Sequence, residues 1–330
     1  MSAKLRALIF LFIATLIWGI SYPIGRAALE ELTPWAYGGL RFFFGSLSLL
    51  PLAMRRRHTP SPAAYAGNDS PTLWLKAGFL SGLCLSIGAV LQLYGLSRVP
   101  ASQAGFITTL YVSMVPVLAF VTGYLPRLLV VVGLGVGLAG LYLLTGGQAG
   151  GLGKSEVLLL VADVFWALQV IITGYFAMRV NTWLFSLAQA VTGCVLVLSL
   201  AFLGGFMPGW ALFFQTLPFT MWGIMSVGVA YTCQAIAQKE ISSTSAALIF
   251  PLQSVIGAAA GVFFLGEYMN GKMILGAAVI VAGCVIAQFA RESILITPEH
   301  SHFKALRLAR LAVAGLMGLG TVGGFIWAVV

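Results

Sequence analysis

Polar and aromatic side chains recur at helical spacing inside the first apolar run of the chain. Thr15, Trp18 and Tyr22 stand at i, i+3 and i+7, so a helix places them on one face. Hydrocarbon gives a hydroxyl no partner, and we therefore expect this stripe to face other helices or water. The stripe predicts one wall of an internal binding pocket, and the alternative is that its Trp and Tyr anchor the helix at a membrane interface. Pro23, which follows, should kink the helix by freeing a backbone carbonyl.

A second stripe lies in the apolar run over residues 155–178 and looks like a distorted copy of the first. Asp163, Trp166 and Gln169 follow one another at three-residue spacing, so we expect the two stripes to face each other. Asp163 is the one carboxylate that lies deep in an apolar run, where a charge costs about 2.5–3.5 kcal/mol on insertion scales. It is therefore a candidate for proton coupling or for binding a cationic group. A position in a hydrated mouth is the alternative.

Four more polar residues form pairs at related places in the two halves of the chain. Gln92 and Gln234 lie deep in their apolar runs, and Tyr111 and Gln253 lie in the runs that follow. Lipid cannot satisfy the donors and the acceptor of an amide, so contact with a substrate and hydrogen bonding between helices both explain the glutamines. Arg41 lies near the start of its run. Snorkelling to the interface is the favoured interpretation, and an internal ion pair or a clamp for an anionic group is the alternative.

The composition is that of a membrane protein. Of 330 residues, 60% are hydrophobic and 8% are charged, whereas soluble domains carry about 25% charged residues. The net charge of +9 comes from Lys and Arg scattered at the ends of apolar runs, which indicates membrane topology and not a nucleic-acid surface. The sequence has no nucleotide-binding, metal-binding or catalytic motif. We therefore expect no cofactor, no metal, no nucleic-acid partner and no enzymatic activity.

Apolar runs that are long enough to cross a bilayer predict ten transmembrane helices. Their limits are 7–29, 34–54, 73–97, 100–123, 127–146, 155–178, 182–204, 217–238, 242–265 and 272–290. An eleventh run, 311–330, predicts an additional C-terminal helix, whose glycine spacing suggests a homodimer contact. Lys and Arg concentrate in the loops that would lie on the same side of the membrane as the N-terminus. This bias predicts that the N-terminus is cytoplasmic.

The two halves of the chain look like copies of each other. A shift of 148 residues brings Trp18 onto Trp166, and a shift of 142 brings Gln92 onto Gln234. Because each copy has five spans, the second must enter the membrane in the opposite orientation, as in the inverted repeats of many secondary transporters. The predicted boundaries are 1–148 for the first repeat, 149–291 for the second, and 292–330 for a cytoplasmic linker with the extra helix.

Several longer patterns lie between about residues 8 and 290. They are IWGISYPIGR, TPWAYGGLRFFFG and SRVPASQAGFITTLYVSMVPVLAF in the first half, then ISSTSAALIFPLQSVIGAAAGVFFLGE and GAAVIVAGCVIA in the second. In these patterns the chain resembles the drug/metabolite transporter superfamily, in its EamA-like ten-helix branch. The resemblance implies a basket of ten helices around a central cavity lined here by Trp18, Tyr22, Gln92, Tyr111, Trp166, Gln234 and Gln253. The family's Glu after a glycine matches Glu267, which we expect to stabilise the turn between spans nine and ten.

Together these observations predict an all-α polytopic membrane protein in a bacterial inner membrane. Its predicted function is secondary transport, as an exporter of small organic metabolites such as amino acids or drug-like amines, by alternating access around the cavity. Its predicted partners are that small-molecule substrate, the lipid bilayer and, through Asp163, a proton. The alternative is a non-transporting membrane scaffold or assembly partner.

Overall fold

The computed structural model of the protein describes residues 3–58, 72–118, 124–125, 128–145, 153–241, 249–289 and 294–295. The helices of the first half are α1 (Ala3–Glu31), α2 (Pro34–Arg56), α3 (Leu73–Leu96), α4 (Ala101–Thr108), α5 (Tyr111–Leu118) and α6 (Leu128–Leu144). Those of the second are α7 (Lys154–Ala177), α8 (Thr182–Gly193), α9 (Ser199–Leu203), α10 (Trp210–Met221), α11 (Ala230–Ala237), α12 (Leu252–Leu265) and α13 (Gly271–Phe289). Two π-helical segments, π1 (Cys194–Leu198) and π2 (Ile224–Val229), connect α8 to α9 and α10 to α11. Strand β1 (Tyr124–Leu125) pairs antiparallel with β2 (Ile294–Leu295).

The described helices are those of a polytopic membrane protein. Among these residues, six helical stretches are long and apolar enough to cross a membrane: Ala3–Glu31, Leu73–Leu96, Ala101–Leu118, Lys154–Ala177, Thr182–Leu203 and Trp210–Ala237. Three further apolar helices are shorter: Leu128–Leu144, Leu252–Leu265 and Gly271–Ala287. Helix α2 is 23 residues long and carries arginine in its last turn.

Most predicted span limits lie within a few residues of the observed helix ends, and three spans differ more. In one of them, predicted over residues 242–265, residues 249–251 form a turn and α12 begins only at Leu252. The predicted start at residue 217 is wrong, since α10 begins at Trp210 and continues through Pro218, which membrane helices tolerate. The single helix predicted over residues 100–123 is interrupted between α4 and α5. There the Thr109 hydroxyl donates to the carbonyl oxygen of Gly105 at 2.9 Å, a contact that often bends helices. Residues 119–123, 242–248 and 311–330 of the predicted spans lie outside the described residues.

Related capping residues begin α2 and α8. The Thr33 hydroxyl accepts a hydrogen bond from the Ala36 N–H at 3.2 Å, with Pro34 in the first helical position. Asn181, which is 148 positions later, accepts from the Trp183 and Leu184 N–H groups at 3.0 and 3.2 Å. Both caps pair N–H groups that a helix start leaves without intrahelical partners.

Helices α6 and α13 approach each other closely because glycine lies at their contact. A Cβ atom at Gly133 would lie 2.5 Å from the Ala287 nitrogen, and one at Gly140 would lie 2.6 Å from the Ile280 nitrogen. Small residues allow this approach between membrane helices. The remaining helices surround a central region, in which α1 packs on α11 and α12, and α7 packs on α3, α4 and α5.

Candidate binding cavity

A cavity lies in this central region and is lined from α1, α2, α3, α4, α5, α7, α11 and α12. Its volume is about 60 Å³, far below the roughly 300–1,000 Å³ of sites that hold drug-sized ligands, so the cavity must widen before it can hold such a molecule. The structure brings into its lining all seven residues that the sequence predicts to bind substrate: Trp18, Tyr22, Gln92, Tyr111, Trp166, Gln234 and Gln253. It adds eight residues outside that set of seven: Ser21, Arg41, Leu93, Leu96, Thr108, Gln169, Val170 and Tyr231.

Aromatic rings form one side of the cavity. The ring centroids of Trp18 and Tyr231 are 4.8 Å apart. Trp166 stacks on Tyr231 at 6.3 Å with an interplanar angle of 12°. Tyr231 thus contacts the tryptophans of both predicted stripes, and Phe250 adds ring contacts at 5.9 Å to Trp18 and to Tyr111. The cluster of Trp18, Tyr111, Trp166, Tyr231 and Phe250 is called the aromatic cluster below.

The π2 segment fixes the position of Trp18. Its indole Nε1 donates to the backbone carbonyl oxygen of Ser226 at 3.1 Å. In return, the Nε1 of Trp222 donates to the Ser21 hydroxyl on α1 at 2.7 Å. A π-helical turn disturbs the regular backbone ladder, and such turns are frequent at functional sites. The two indole hydrogen bonds therefore tie α1 to the irregular part of the helix that carries Tyr231.

Gln92 connects three helices at the cavity. Its Nε2 donates to the Tyr22 hydroxyl at 3.1 Å and to the Thr108 hydroxyl at 3.4 Å. The amide therefore joins α3 to α1 and α4 while it also lines the cavity. Gln92 therefore hydrogen-bonds between helices and also lines the cavity.

Gln234 belongs to a chain of buried amides. Its Nε2 donates to Gln169 Oε1 at 3.2 Å and to Gln238 Oε1 at 3.1 Å. Gln169 Nε2 in turn donates to the Thr173 hydroxyl at 3.0 Å. The Oε1 of Gln234 has no hydrogen-bond partner among the described residues, although its side chain is 1% exposed. An acceptor is thus available at the cavity wall.

Trp166 offers the corresponding donor. The residue is 8% exposed, lines the cavity and leaves its indole Nε1 without a hydrogen-bond partner within the described part of the chain. Buried polar groups are nearly always paired, so an orphaned donor and an orphaned acceptor at one cavity need an explanation.

Arg41 lies on the cavity, contrary to the favoured expectation that it snorkels to an interface. The side chain is half-buried, and its guanidinium carbon is 5.4 Å from the centre of the Tyr37 ring. The Nε is buried and has no hydrogen-bond partner among the residues that the structure describes. The sequence shows an arginine inside an apolar run, but it does not show whether the side chain points to the membrane interface or into the protein.

Asp163 is buried on α7 outside the cavity lining. Its side chain is 0% exposed, which contradicts a hydrated mouth, and it is not part of the cavity lining. Neither carboxylate oxygen has a hydrogen-bond partner among the described residues. The carboxylate is within electrostatic range of the hydroxyls of Tyr22 and Tyr111, both of which line the cavity.

Comparison with known proteins identifies this arrangement of helices. The model of the EamA-like transporter family matches residues 5–146 and, separately, residues 153–289. The chain belongs to the EamA-like transporter family. The resemblance drawn from the sequence is thereby confirmed, and this EamA-like transporter is an integral, multi-pass membrane protein.

Its relatives carry transporter names. A transporter of Archaeoglobus fulgidus is 25% identical over 303 residues, which cover 86% of both chains. The transporter YvbV of Bacillus subtilis is 24% identical, over 86% of this chain and 92% of YvbV. The inner membrane transporter YedA of Escherichia coli is 24% identical over 57% of this chain and 60% of YedA. A crystal structure with 22% identity superposes with a TM-score of 0.61 over 85% of this chain and 96% of that chain, which shows a shared fold.

Glu267 of this EamA-like transporter stabilises a different element from the one expected. Its carboxylate accepts hydrogen bonds from the backbone N–H groups of Ala101 and Ser102, at 2.5 and 2.8 Å. The residue lies between α12 and α13, but the helix that it caps is α4, in the other half of the chain. Gly261 leaves room for it, since a Cβ there would lie 2.6 Å from a carboxylate oxygen of Glu267. The carboxylate therefore serves the N-terminus of α4, where negative charge is favoured.

Proposed function

We propose that this EamA-like transporter is a secondary transporter that moves small organic metabolites through the cavity by alternating access. The observation that carries the proposal is the pair of unsatisfied polar atoms, Trp166 Nε1 and Gln234 Oε1, at a cavity lined with aromatic rings. Leaving such atoms unpaired is costly, and a bound molecule that hydrogen-bonds to both offsets that cost. The lining suits a substrate with an apolar body and few polar groups, such as an amino acid or a drug-like amine.

The proposed architecture consists of two inverted five-helix repeats, residues 1–148 and 149–291. Two observations support it. The family model matches each half separately. The helix contacts also correspond when the halves are exchanged, because α3 packs on α7 as α11 packs on α1, and α4 and α5 pack on α7 as α12 packs on α1. In inverted-repeat transporters the substrate site lies between the repeats, where Trp18 and Trp166 meet Tyr231 here.

The proposal also covers the direction of transport and the membrane in which the protein lies. We propose export from a bacterial cell across the inner membrane, with the N-terminus in the cytoplasm. The distribution of Lys and Arg supports this orientation, and the relative YedA is named an inner membrane transporter. The eleventh helix over residues 311–330 and a homodimer through it stay predictions, because that segment lies outside the described residues.

Asp163 is the proposed site of proton coupling. A carboxylate that is fully buried without a hydrogen-bond partner is costly in its charged form. It is within electrostatic range of Tyr22 and Tyr111, which line the cavity, although it is not itself part of the lining. A proton on this group could therefore respond to whether the cavity is occupied.

Uptake into proteoliposomes tests the proposal. Purified full-length protein is assayed with labelled amino acids and amines, with and without a proton gradient. We expect saturable uptake that Trp18→Ala abolishes and that Trp210→Ala leaves intact, since Trp210 is 78% exposed and lies outside the cavity. Gradient dependence should be lost in Asp163→Asn.

The outcomes separate the parts of the proposal. Gradient-independent uptake that Asp163→Asn leaves unchanged would contradict proton coupling and indicate a facilitator. Uptake that survives Trp18→Ala would contradict the cavity as the route. The absence of uptake for every compound would contradict transport of this substrate class and favour the scaffold alternative.

A further inference from the structure

Among the described residues, Arg41 is the one charged residue in the lining of the cavity. The described residues contain a single salt bridge, Arg6–Glu240, so no described carboxylate lies within 4.0 Å of the Arg41 guanidinium. Asp163, a fully buried carboxylate on α7, is outside the lining and forms no salt bridge with Arg41. The contact that the guanidinium does make is with the ring of Tyr37, 5.4 Å away. The cavity therefore holds a positive charge that nothing described in the protein neutralises.

The charge lies close to the aromatic cluster. Arg41 is within electrostatic range of the hydroxyls of Tyr22 and Tyr231, and Tyr231 lies between Trp18 and Trp166. A molecule in the cavity thus meets both the rings and the guanidinium in one lining. The cavity presents apolar surface and a cation together.

The backbone of Arg41 is also held closely. A Cβ atom at Gly223 would overlap the Arg41 carbonyl oxygen, and one at Gly45 would lie 2.6 Å from the Cβ of Val227 in π2. These contacts press α2 against the helix that carries Tyr231, so one interface positions both the backbone of Arg41 and Tyr231.

We propose that the substrate carries a carboxylate that pairs with Arg41 while its apolar body lies against the aromatic cluster. The planar guanidinium fork matches the two oxygens of a carboxylate, and a partly buried cation gains most from a partner of opposite charge. A doubly charged phosphate would keep part of its charge unneutralised, because the described lining holds one cation. The proposal rests on the proposed transport function and narrows its substrate class. Amino acids and apolar organic acids fit, and simple amines are repelled.

The test compares small molecules that differ only in their polar group. Binding of phenylacetate, phenylacetamide and phenethylamine to the purified full-length protein is measured by calorimetry in detergent micelles, together with indoleacetate, indoleacetamide and tryptamine. Benzyl phosphate serves as the phosphate probe. We expect each carboxylate to bind about 10- to 100-fold more tightly than its amide, and the amines and the phosphate to bind more weakly still.

Substitutions assign the preference to the guanidinium. Arg41→Gln should reduce the ratio between carboxylate and amide to about one, and Arg41→Lys, which keeps the charge, should keep part of it. Arg26→Gln is the matched control, since Arg26 donates to the Ser97 carbonyl oxygen at 2.8 Å and lies outside the cavity. That variant should keep the full preference.

The inference is overturned if the wild-type protein binds no carboxylate more tightly than its amide, whether or not the Arg41 variants fold. It is also overturned if folded Arg41→Gln protein retains the preference. Failure of the transport proposal looks different. In that case the carboxylates bind with a preference that depends on Arg41, but proteoliposomes take none of them up.

Discussion

Trp166 and Trp222 differ in what their indole N–H groups meet. Trp222 donates to the Ser21 hydroxyl, whereas Trp166 has no hydrogen-bond partner among the described residues. Replacing Trp166 with Phe therefore removes no hydrogen bond within the described protein. We expect the unfolding temperature of the Trp166→Phe variant to stay near that of the wild type. If the N–H serves the substrate, the KM for uptake should rise about threefold to tenfold.

Trp222→Phe is the matched control for this prediction. It breaks a hydrogen bond within the protein and should lower the free energy of unfolding by about 0.5–1.5 kcal/mol. Thermal unfolding in detergent and uptake kinetics in proteoliposomes are measured for both variants. A loss of stability in Trp166→Phe without a change in KM would contradict the assignment of its N–H to the substrate.

The residues of the cavity were predictable to different degrees. Trp18 and Tyr22 follow from helical spacing, and Gln234 follows from its relation to Gln92, because both signals depend only on the order of residues. The position of Arg41 does not follow, since a long side chain reaches either lipid headgroups or the protein interior from the same Cα. The central place of Tyr231 depends on the packing of three helices, which no local pattern contains.

At the scale of helices, α6 provides two glycines that differ only in what surrounds them. A Cβ at Gly133 would lie 2.5 Å from the Ala287 nitrogen and 2.6 Å from the Gly283 oxygen, whereas one at Gly135 would meet no atom within 4 Å. Gly133→Ala should therefore push α6 away from α13 and lower the free energy of unfolding by about 1–3 kcal/mol. Gly135→Ala should leave it unchanged or raise it by up to about 1 kcal/mol.

Thermal unfolding of the two variants in detergent checks this prediction. The comparison is internal, because both substitutions add the same methyl group to the same helix. Similar changes in unfolding temperature would contradict close packing between α6 and α13.

The cap that Glu267 provides to α4 is a second feature at the scale of helices. Glu267→Gln removes the negative charge and one of the two oxygens that accept from Ala101 and Ser102. We expect the free energy of unfolding to fall by about 1–2 kcal/mol. Glu31→Gln is the control, since Glu31 is exposed at the C-terminal end of α1, where a negative charge is unfavourable. The free energy of unfolding is measured for both variants by chemical or thermal unfolding. A larger loss in Glu31→Gln than in Glu267→Gln would contradict this role for Glu267.

Sequence patterns predicted the helices better than their irregularities. Apolar length placed both ends of α3 and α7 within a few residues, because the bilayer sets how long an apolar run must be. The segments π1 and π2 were not predicted. They pack against α2, where Gly39 and Gly45 allow Leu198 and Val227 to approach, so they are a consequence of tertiary contact and not of local preference.

At the scale of the whole molecule, hydrogen bonds join the two halves at separate places. Glu267 binds the start of α4, and Trp18 binds the carbonyl of Ser226. If the protein works by the proposed alternating access, with one half rocking against the other, some of these contacts must lengthen while others act as pivots.

The proposed inverted repeat makes a prediction about which side of the membrane equivalent residues face. Glu30, near the end of α1, and Met178, which follows α7, are related by the shift of 148 residues, and both are exposed. If the repeats are inverted, these equivalent positions lie on opposite sides of the membrane. We expect Glu30→Cys to react with an impermeant maleimide in intact cells, and Met178→Cys to react only after permeabilisation. The unchanged chain should stay unlabelled, since Cys84, Cys233 and Cys284 are buried and Cys194 is partly buried.

Each labelling outcome bears on a different feature. The reverse assignment, with position 178 reactive in intact cells, would contradict the predicted cytoplasmic N-terminus and keep the inverted repeat. Labelling of both positions from one side would contradict the repeat itself, because equivalent residues would then share an orientation. The contact of Trp18 and Trp166 with Tyr231 would in that case come from an ordinary bundle and not from a pseudo-twofold axis. Sidedness at two residues therefore tests the symmetry on which the central position of the cavity depends.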